Sequence, residues 1–162
     1  MHAKNSHCSY CGAAFPRNLP WPRKCLACGT KSYLNPLPVV VAIVPAGNGL
    51  VTVRRNIEPQ KGTLTLPGGY LDLGESWQEG ASRELLEETG IAVPPEDFRL
   101  YDVANGLDHT IVILGLAAPQ PRSSLDPFSS AETQEVVLID RPRDLGFPLH
   151  TLVVRRYFAE TR

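Results

Sequence analysis

One stretch of the 162-residue chain decides how the rest is interpreted: residues 69–91, GYLDLGESWQEGASRELLEETGI. Its first part is predicted to be a glycine-bearing loop. Ser76 followed by Glu79 matches a capping box, in which each side chain accepts a backbone N–H of the other residue, so a helix should begin near Trp77. Gly90 readily adopts the left-handed conformation that closes many helices, so the helix should end near Thr89.

The predicted helix places acids beside an apolar stripe. The stripe consists of Trp77, Ala81 and Leu85. Glu84 and Glu88 lie one turn apart on that side, and Glu87 flanks them. Neighbouring carboxylates repel one another, and burying them costs free energy unless they are paired. A divalent cation offsets both costs, and ligands made only of oxygen suit Mg²⁺ or Mn²⁺. The alternative is a solvated acidic face with an Arg83–Glu87 ion pair.

The same stretch fits the pattern G-x5-E-x7-R-E-U-x-E-E-x-G-U, where U is a bulky aliphatic residue. The fixed positions are Gly69, Glu75, Arg83, Glu84, Leu85, Glu87, Glu88, Gly90 and Ile91. The stretch therefore resembles the Nudix box of the Nudix hydrolases. The resemblance implies an α/β fold, an α/β/α sandwich with a mixed sheet. It also implies metal-dependent hydrolysis of a pyrophosphate bond in a nucleoside diphosphate derivative.

The resemblance also assigns roles within and just before the box. Glu84 and Glu88 would be the main Mg²⁺ or Mn²⁺ ligands, and Glu87 would share that role or act as a base. The carbonyl of Gly68 would complete the metal site. Such a cation neutralises the charge that develops on the pyrophosphate oxygens during attack by water.

Arg83 has a more structural expectation. It should form an ion pair with Glu75 that ties the loop to the helix, and it should orient the catalytic carboxylates.

Five residues outside the box are further candidates for the active site. Glu132 or Glu135 could supply an additional acid, although two solvated acids before a strand are an equal alternative. His109 could act as a base or have only a structural role. Arg54 and Arg55 could bind substrate phosphates, and the alternation of side chains along a strand predicts that only one of them points inward.

The four cysteines predict a second metal site near the N-terminus. They form two pairs, Cys8-x-x-Cys11 and Cys25-x-x-Cys28, separated by 13 residues. This spacing is typical of a tetrahedral four-thiolate zinc site. Two disulfides or a redox-active pair are the alternatives, but no secretion signal or thioredoxin-like unit accompanies the cysteines. Structural Zn²⁺ is therefore expected.

These features predict a four-cysteine zinc ribbon over residues 1–34 and a Nudix domain over residues 35–162. The predicted strands of the second domain are Val39–Val44, Leu50–Arg55, Leu64–Leu66, Phe98–Val103, His109–Leu116 and Glu135–Ile139. A hairpin turn is expected at Ala46–Gly49, a surface loop at Ala118–Ser130, and a closing helix near Leu149–Ala159.

Composition excludes several classes of partner. The net charge of −1 favours neither nucleic-acid nor anionic-membrane binding, and no apolar run reaches the roughly 20 residues that span a bilayer. We expect a cytoplasmic enzyme acting on a small nucleotide, with a homodimer as an open option because a second subunit could wall the cleft. The alternative function is that of a non-catalytic module, in which the ribbon binds a nucleic acid or protein and the Nudix domain is an inert scaffold. Such a scaffold would be expected to have lost some of the box acids.

The substrate is the least determined feature. A zinc ribbon before a Nudix domain resembles the NADH pyrophosphatases, but the S-Q-P-W-P-F-P-x-S signature of those enzymes is missing after Ile91. The segments Tyr33–Pro36 and Arg55–Pro59 resemble ribbon-bearing Nudix enzymes that act on FAD and ADP-ribose. We therefore expect ADP-ribose or FAD, with NADH or a house-cleaning nucleoside triphosphatase activity as alternatives.

Overall fold

The computed structural model describes residues 3–122 and 126–161 and divides into two compact units. The cysteine unit is Met1–Pro36, and the sandwich unit is Leu37–Arg162. Among the described residues, no helix is both long and apolar enough to cross a membrane. In chain order the elements are β1 (Arg23–Lys24), β2 (Lys31–Ser32), β3 (Leu37–Ile43), β4 (Pro45–Ala46), β5 (Gly49–Arg55), β6 (Leu64–Thr65), β7 (Gly68–Tyr70), α1 (Trp77–Thr89), a 3-10 turn (Pro95–Asp97), β8 (Phe98–Asn105), β9 (Thr110–Ala117), β10 (Thr133–Ile139) and α2 (Pro148–Glu160).

The cysteine unit has little regular structure and a very small core. Strands β1 and β2 form an antiparallel pair. The buried core residues are Cys8, Phe15 and Cys25. The Phe15 and Trp21 rings meet edge-to-face with centroids 6.1 Å apart, and the Arg23 guanidinium lies 4.4 Å from the Trp21 ring centre. Two of the three buried core residues are therefore cysteines, which makes the stability of this unit depend on what the thiols bind.

The first sheet of the sandwich unit has the order β7-β3-β9-β8. Strand β3 runs parallel to β9 and antiparallel to β7, and β8 is antiparallel to β9. The predicted mixed sheet is thus present, and the α/β fold class is confirmed.

The remaining strands form a second, antiparallel sheet. Its order is β10-β5-β4, and β6 pairs with the far end of β5. The hairpin predicted at Ala46–Gly49 is present, but it joins β5 to the two-residue strand β4 rather than to β3. Both edges of β3 are already paired, with β7 and β9, so the chain has to continue into the other sheet.

Strand β3 separates two hydrophobic cores. Val40 and Ala42 face a cluster that contains Ala81 and Leu85 of α1. The alternate residues of β3 face a second cluster, which contains Val41, Ile43, Val153, Val154 and Phe158. Successive side chains of a strand point to opposite faces, so one continuous apolar strand is buried between α1 and α2. This arrangement is the predicted α/β/α sandwich.

Some local predictions differ from the structure, mostly at the ends of strands. Gly68–Tyr70, which was expected to belong to a loop, is strand β7 at the edge of the first sheet. Strand β9 begins at Thr110 rather than His109, because His109 has φ +60° and cannot extend the ladder. Within the predicted loop Ala118–Ser130, positions 123–125 lie outside the described residues, and Gln120 forms an isolated bridge with Ala46.

Candidate active site

Helix α1 holds its carboxylates in a fixed orientation because both of its ends are capped. The Ser76 hydroxyl accepts the Glu79 N–H at 3.3 Å, and the Glu79 carboxylate accepts the Ser76 N–H at 2.7 Å. Gly90 has φ +74°, and its N–H donates to the Leu86 carbonyl. The helix therefore begins at Trp77 and ends at Thr89, as predicted.

Two of the box carboxylates pack against the glycine strand β7. The Gly68 N–H donates to Glu88 Oε2 at 2.9 Å. A methyl group added at Gly69 would lie only 2.5 Å from Glu84 Oε1, and one added at Gly68 would clash with the carbonyl of Val40. Gly68 also has φ +152°, a conformation that L side chains rarely adopt. Gly68 is therefore required for the close approach of β7 to β3, and a side chain at Gly69 would displace the Glu84 carboxylate.

Arg83 holds the acids in place. Its guanidinium makes two contacts with the Glu75 carboxylate, at 2.7 and 3.1 Å, in the bidentate geometry that Arg favours. It also donates to Glu84 at 2.8 Å, to Glu87 at 3.2 Å and to the Tyr70 carbonyl at 3.1 Å. The expected Arg83–Glu75 ion pair is thus present, and the same side chain contacts two of the three candidate ligands.

The environment of the site disfavours negative charge on Glu84 and Glu88. Burial raises the pKa of Glu88 to about 7, against the opposing effect of the Gly68 N–H, and the charge of Glu84 adds to the increase. Burial also raises the pKa of Glu84, although Arg83 opposes it. A cation next to these groups would restore their charged forms. Glu84 and Glu88 offer oxygen ligands, and their raised pKa values show that the surrounding protein does not fully stabilise their charged forms. The two side chains therefore fit Mg²⁺ or Mn²⁺.

The other candidate residues differ in whether their charges act on these acids. The charge of Glu132 contributes to the raised pKa of both Glu84 and Glu88, whereas the charge of Arg55 lowers the pKa of Glu88. Arg54 and Glu135 form a 2.7 Å ion pair with each other instead.

Glu87 and His109 have more peripheral positions. The Glu87 side chain is 60% exposed and contacts Arg83. His109 is exposed in the turn before β9. Among the described residues, the three box glutamates do not bring their oxygens within 4.8 Å of one another, whereas the four cysteines bring their sulfur atoms that close.

His150 is a buried polar residue that the sequence interpretation missed. Its Nδ1 accepts the Leu66 N–H at 3.1 Å, two residues before Gly68. Burial lowers the pKa of His150 to about 4, and the charge of Arg55 acts in the same direction. One signal was available: His150 falls on the same helical stripe as Val153 and Val154, which both face the second core.

The four cysteines form a compact cluster of free thiols. Cys8 Sγ lies 3.7 Å from Cys28 Sγ, and Cys11 Sγ lies 3.6 Å from Cys25 Sγ. A tetrahedron with 2.3 Å zinc–sulfur bonds has edges of about 3.8 Å, so the separations fit Zn²⁺. Hydrogen bonds from the backbone of Cys11 and Tyr10 lower the pKa of Cys8. Those from Thr30 lower the pKa of Cys28 to about 6, so Cys8 and Cys28 favour the thiolate form that a metal requires, whereas the neighbouring Cys28 and Cys25 raise the pKa of Cys11 to about 12.

The fold is an α/β/α sandwich, and its capped helix α1 presents carboxylates to the glycine strand β7. These two features define the class of protein. The NUDIX domain family matches residues 35–156, which is most of the chain. The chain therefore belongs to the NUDIX family.

Relatives agree with this assignment. A crystal structure of a NUDIX hydrolase from Nitrosomonas europaea superposes with a TM-score of 0.78 at 31% identity, covering 96% of this chain and 92% of that one. An ADP-ribose pyrophosphatase of Methanocaldococcus jannaschii is 39% identical over 59 residues, 36% of this chain and 35% of the relative. The NAD-capped RNA hydrolase NudC of Escherichia coli O157:H7 is 21% identical over 146 residues, 90% of this chain and 51% of the relative. The chain thus spans between about a third and a half of these curated relatives.

Proposed function

We propose that this protein hydrolyses the pyrophosphate bond of a nucleoside diphosphate derivative in the presence of Mg²⁺ or Mn²⁺, and that ADP-ribose or FAD is its substrate. One observation carries the proposal: Glu88, which is buried, and Glu84, which is partly buried, pack against the Gly68–Gly69 backbone, and desolvation raises the pKa of both. This arrangement of the two acids costs folding free energy, so it is expected where the acids have a function. Neighbouring acids with shifted pKa values are typical of active sites.

Each group near these acids has an assigned task. Glu84, Glu88 and the carbonyl of Gly68 would hold the divalent cation, with Glu87 as a further ligand or base. The cation would neutralise charge on the pyrophosphate and activate the attacking water. Arg83 fixes the rotamers of Glu84 and Glu87 through its hydrogen bonds, and such orientation of ligands by neighbouring groups is worth roughly 10- to 100-fold in metal affinity or activity.

Arg55 is the better candidate of the two arginines for a phosphate contact. Its Nε donates to the Pro59 carbonyl at 2.9 Å, which fixes the side chain, and its charge acts on Glu88. Arg54 is already committed to Glu135 and to the Gly62 carbonyl. The charge of Glu132 acts on the same acids, so Glu132 is the candidate for an additional acid outside the box.

Two lines of support favour ADP-ribose or FAD. The first is the resemblance of Tyr33–Pro36 and Arg55–Pro59 to ribbon-bearing enzymes that act on these compounds. The second is the matching ADP-ribose pyrophosphatase, which has the higher identity of the two curated relatives. In both substrates the pyrophosphate lies between two large groups, and binding energy from the remote groups can be used to lower the barrier.

A dinucleotide of the NAD type is the second candidate. It is favoured by the NudC relative, because that similarity extends over 90% of this chain and therefore includes at least part of the cysteine unit. The missing S-Q-P-W-P-F-P-x-S segment argues against it.

We also propose that the cysteine unit holds one structural Zn²⁺. The four sulfur atoms lie within 4.8 Å of one another, and the hydrogen bonds to Cys8 and Cys28 favour their thiolates. All four ligand positions would be filled by protein, and such a closed site stabilises structure rather than performing catalysis.

A substrate comparison tests the proposed activity. Purified protein would be assayed with ADP-ribose, FAD, NADH, NAD-capped RNA, dATP and dGTP, each with Mg²⁺ and with Mn²⁺. We expect ADP-ribose or FAD to have the highest kcat/KM, with AMP as one product. If dATP or dGTP is hydrolysed more efficiently than ADP-ribose, FAD and NADH alike, the substrate proposal is wrong and the family assignment stands. A capped RNA or NADH as best substrate would favour the second candidate.

A further inference from the structure

His150 is a polar side chain buried in the apolar face of α2. Its neighbours one turn along the helix, Val153 and Val154, belong to the second hydrophobic core. The ring of Phe147 lies edge-to-face with the imidazole, with centroids 5.1 Å apart. Burying a polar group in such surroundings costs free energy unless the group forms hydrogen bonds. The hydrogen bond that His150 makes therefore indicates the role of this residue.

That bond reaches a different element of the fold. The N–H of Leu66, the residue that follows β6, donates to His150 Nδ1 at 3.1 Å. A ring nitrogen that accepts a hydrogen bond carries no proton, so the neutral imidazole has its proton on Nε2. Burial and the charge of Arg55 lower the pKa of His150 to about 4, which keeps the ring neutral at pH 7 and Nδ1 available as an acceptor.

The segment that His150 holds leads directly to the candidate metal site. Three consecutive residues, Leu66, Pro67 and Gly68, are each held by a different element. The Leu66 N–H is bound by His150 of α2, the Pro67 carbonyl accepts from the Ala42 N–H of β3 at 2.9 Å, and the Gly68 N–H donates to Glu88 of α1. Without His150, the Leu66 N–H would be buried with no partner, and that loss favours a shift of the segment.

We propose that His150 is a positioning residue for the active site. It fixes the Leu66–Gly68 backbone so that the Gly68 carbonyl and the Glu88 carboxylate face the same divalent cation. This inference rests on the proposed function, because it takes Gly68 and Glu88 as metal ligands. His150 itself contacts neither substrate nor metal, and it acts through the Leu66 amide.

A matched pair of substitutions separates the hydrogen bond from packing. Asn and Leu both carry two atoms on Cγ, but His150→Asn keeps an acceptor in the δ position and His150→Leu removes it. Val154→Ala, one turn further along α2, is the packing control, because Val154 is fully buried and the structure gives it no polar contact. Thermal unfolding of all three variants identifies the temperature range in which they are folded.

Two measured quantities are expected to change when the hydrogen bond between His150 and the Leu66 N–H is lost. In His150→Leu the Mg²⁺ concentration for half-maximal activity should rise about tenfold, while His150→Asn should stay within about threefold of wild type and Val154→Ala should not change. In the metal-free protein, hydrogen exchange at the Gly68 amide should be at least about tenfold faster in His150→Leu than in His150→Asn.

Each unfavourable result has a separate meaning. If wild type shows no divalent-metal-dependent hydrolysis, the proposed function fails, and the Gly68 exchange still tests the positioning. If His150→Leu leaves both Gly68 exchange and metal activation unchanged, or His150→Asn is as impaired as His150→Leu, the positioning role is wrong. Should His150→Leu not fold, ¹⁵N resonances of the wild-type ring decide at pH 7: an unprotonated Nδ1 supports the inference, and a protonated Nδ1 overturns it.

Discussion

The two candidate metal sites differ in how far the protein assembles them by itself. The cysteine sulfurs already lie at the separations of a tetrahedral zinc site, 3.6 and 3.7 Å for the closest pairs. The box carboxylates do not converge in this way, and they bind protein groups instead: Glu84 and Glu87 contact Arg83, and Glu88 accepts from Gly68.

The difference follows from what surrounds each site. In the cysteine unit the ligands are the core, since Cys8 and Cys25 account for two of its three buried core residues. In the sandwich unit, two hydrophobic clusters drawn only from residues 40–158 build the fold, and the carboxylates lie beside them. Metal binding is therefore expected to contribute to the folding free energy of the cysteine unit. In the sandwich unit, the metal is expected to bind a domain that folds without it.

The largest expected effect comes from breaking the cysteine site with Cys25→Ser. Structural zinc in small domains contributes on the order of 10 kcal/mol, so the variant should lose its zinc and most amide protection in residues 3–36. The sandwich unit should keep its amide protection, because it has two hydrophobic cores of its own. Elemental analysis and hydrogen exchange measure both parts.

Leu26→Ala, a change at a residue that is 86% exposed within the second knuckle, is the control for Cys25→Ser and should keep about one zinc per chain. A Cys25→Ser protein with unchanged zinc content and protection, or a disulfide in place of the free thiols, would contradict this account of the cysteine unit.

A smaller effect is expected from pH on the sandwich unit without divalent metal. The folded-state pKa of Glu88 is about 7, above its usual 4.5. Its favourable contribution to the free energy of unfolding is therefore complete below pH 4.5 and is lost as the pH rises through 7. The shift corresponds to about 3 kcal/mol of unfolding free energy. Denaturant titrations from pH 4.5 to 8.5 in EDTA should show this decrease.

Glu88→Gln provides the comparison, since glutamine cannot ionise. Its stability should lack this pH dependence, and at pH 8 without metal it should be at least as stable as wild type. Saturating Mg²⁺ should restore wild-type stability at pH 8. Wild type that grows more stable from pH 6 to 8 in EDTA, with Glu88→Gln unchanged, would show that the Glu88 pKa is not raised.

The smallest effect distinguishes the neighbouring arginines of β5. Arg55→Ala should raise the KM for ADP-ribose about tenfold, because a charged hydrogen bond to phosphate contributes about 1.5 kcal/mol or more. Arg54→Ala should change KM less than about threefold, since Arg54 is paired with Glu135. Steady-state kinetics of the two variants test this difference, and a larger effect at Arg54 would reverse the assignment.

Features determined by neighbouring residues could be predicted from the sequence. Both ends of α1 were predicted correctly because the Ser76–Glu79 capping box and Gly90 are local signals. The Arg83–Glu75 ion pair was predictable for the same reason, since the two residues are close along one loop and helix.

Features determined by distant parts of the chain could not be predicted. Alternation predicted that only one of Arg54 and Arg55 points inward, but which of them is free for substrate depends on Glu135, which pairs with Arg54 from another strand. The division into two sheets depends on β9 taking the free edge of β3. The role of His150 depends on β6, which lies 84 residues earlier.

The central claim is that Glu88 helps to hold a catalytic cation, and the most direct measurement is turnover of ADP-ribose by Glu88→Gln across a Mg²⁺ titration. The account predicts a loss of at least about 10²-fold in kcat at saturating Mg²⁺, with no loss of thermal stability. Glu96→Gln, an exposed change in the 3-10 turn, should leave kcat unchanged. Turnover of Glu88→Gln equal to that of wild type at the same Mg²⁺ concentrations would contradict the claim.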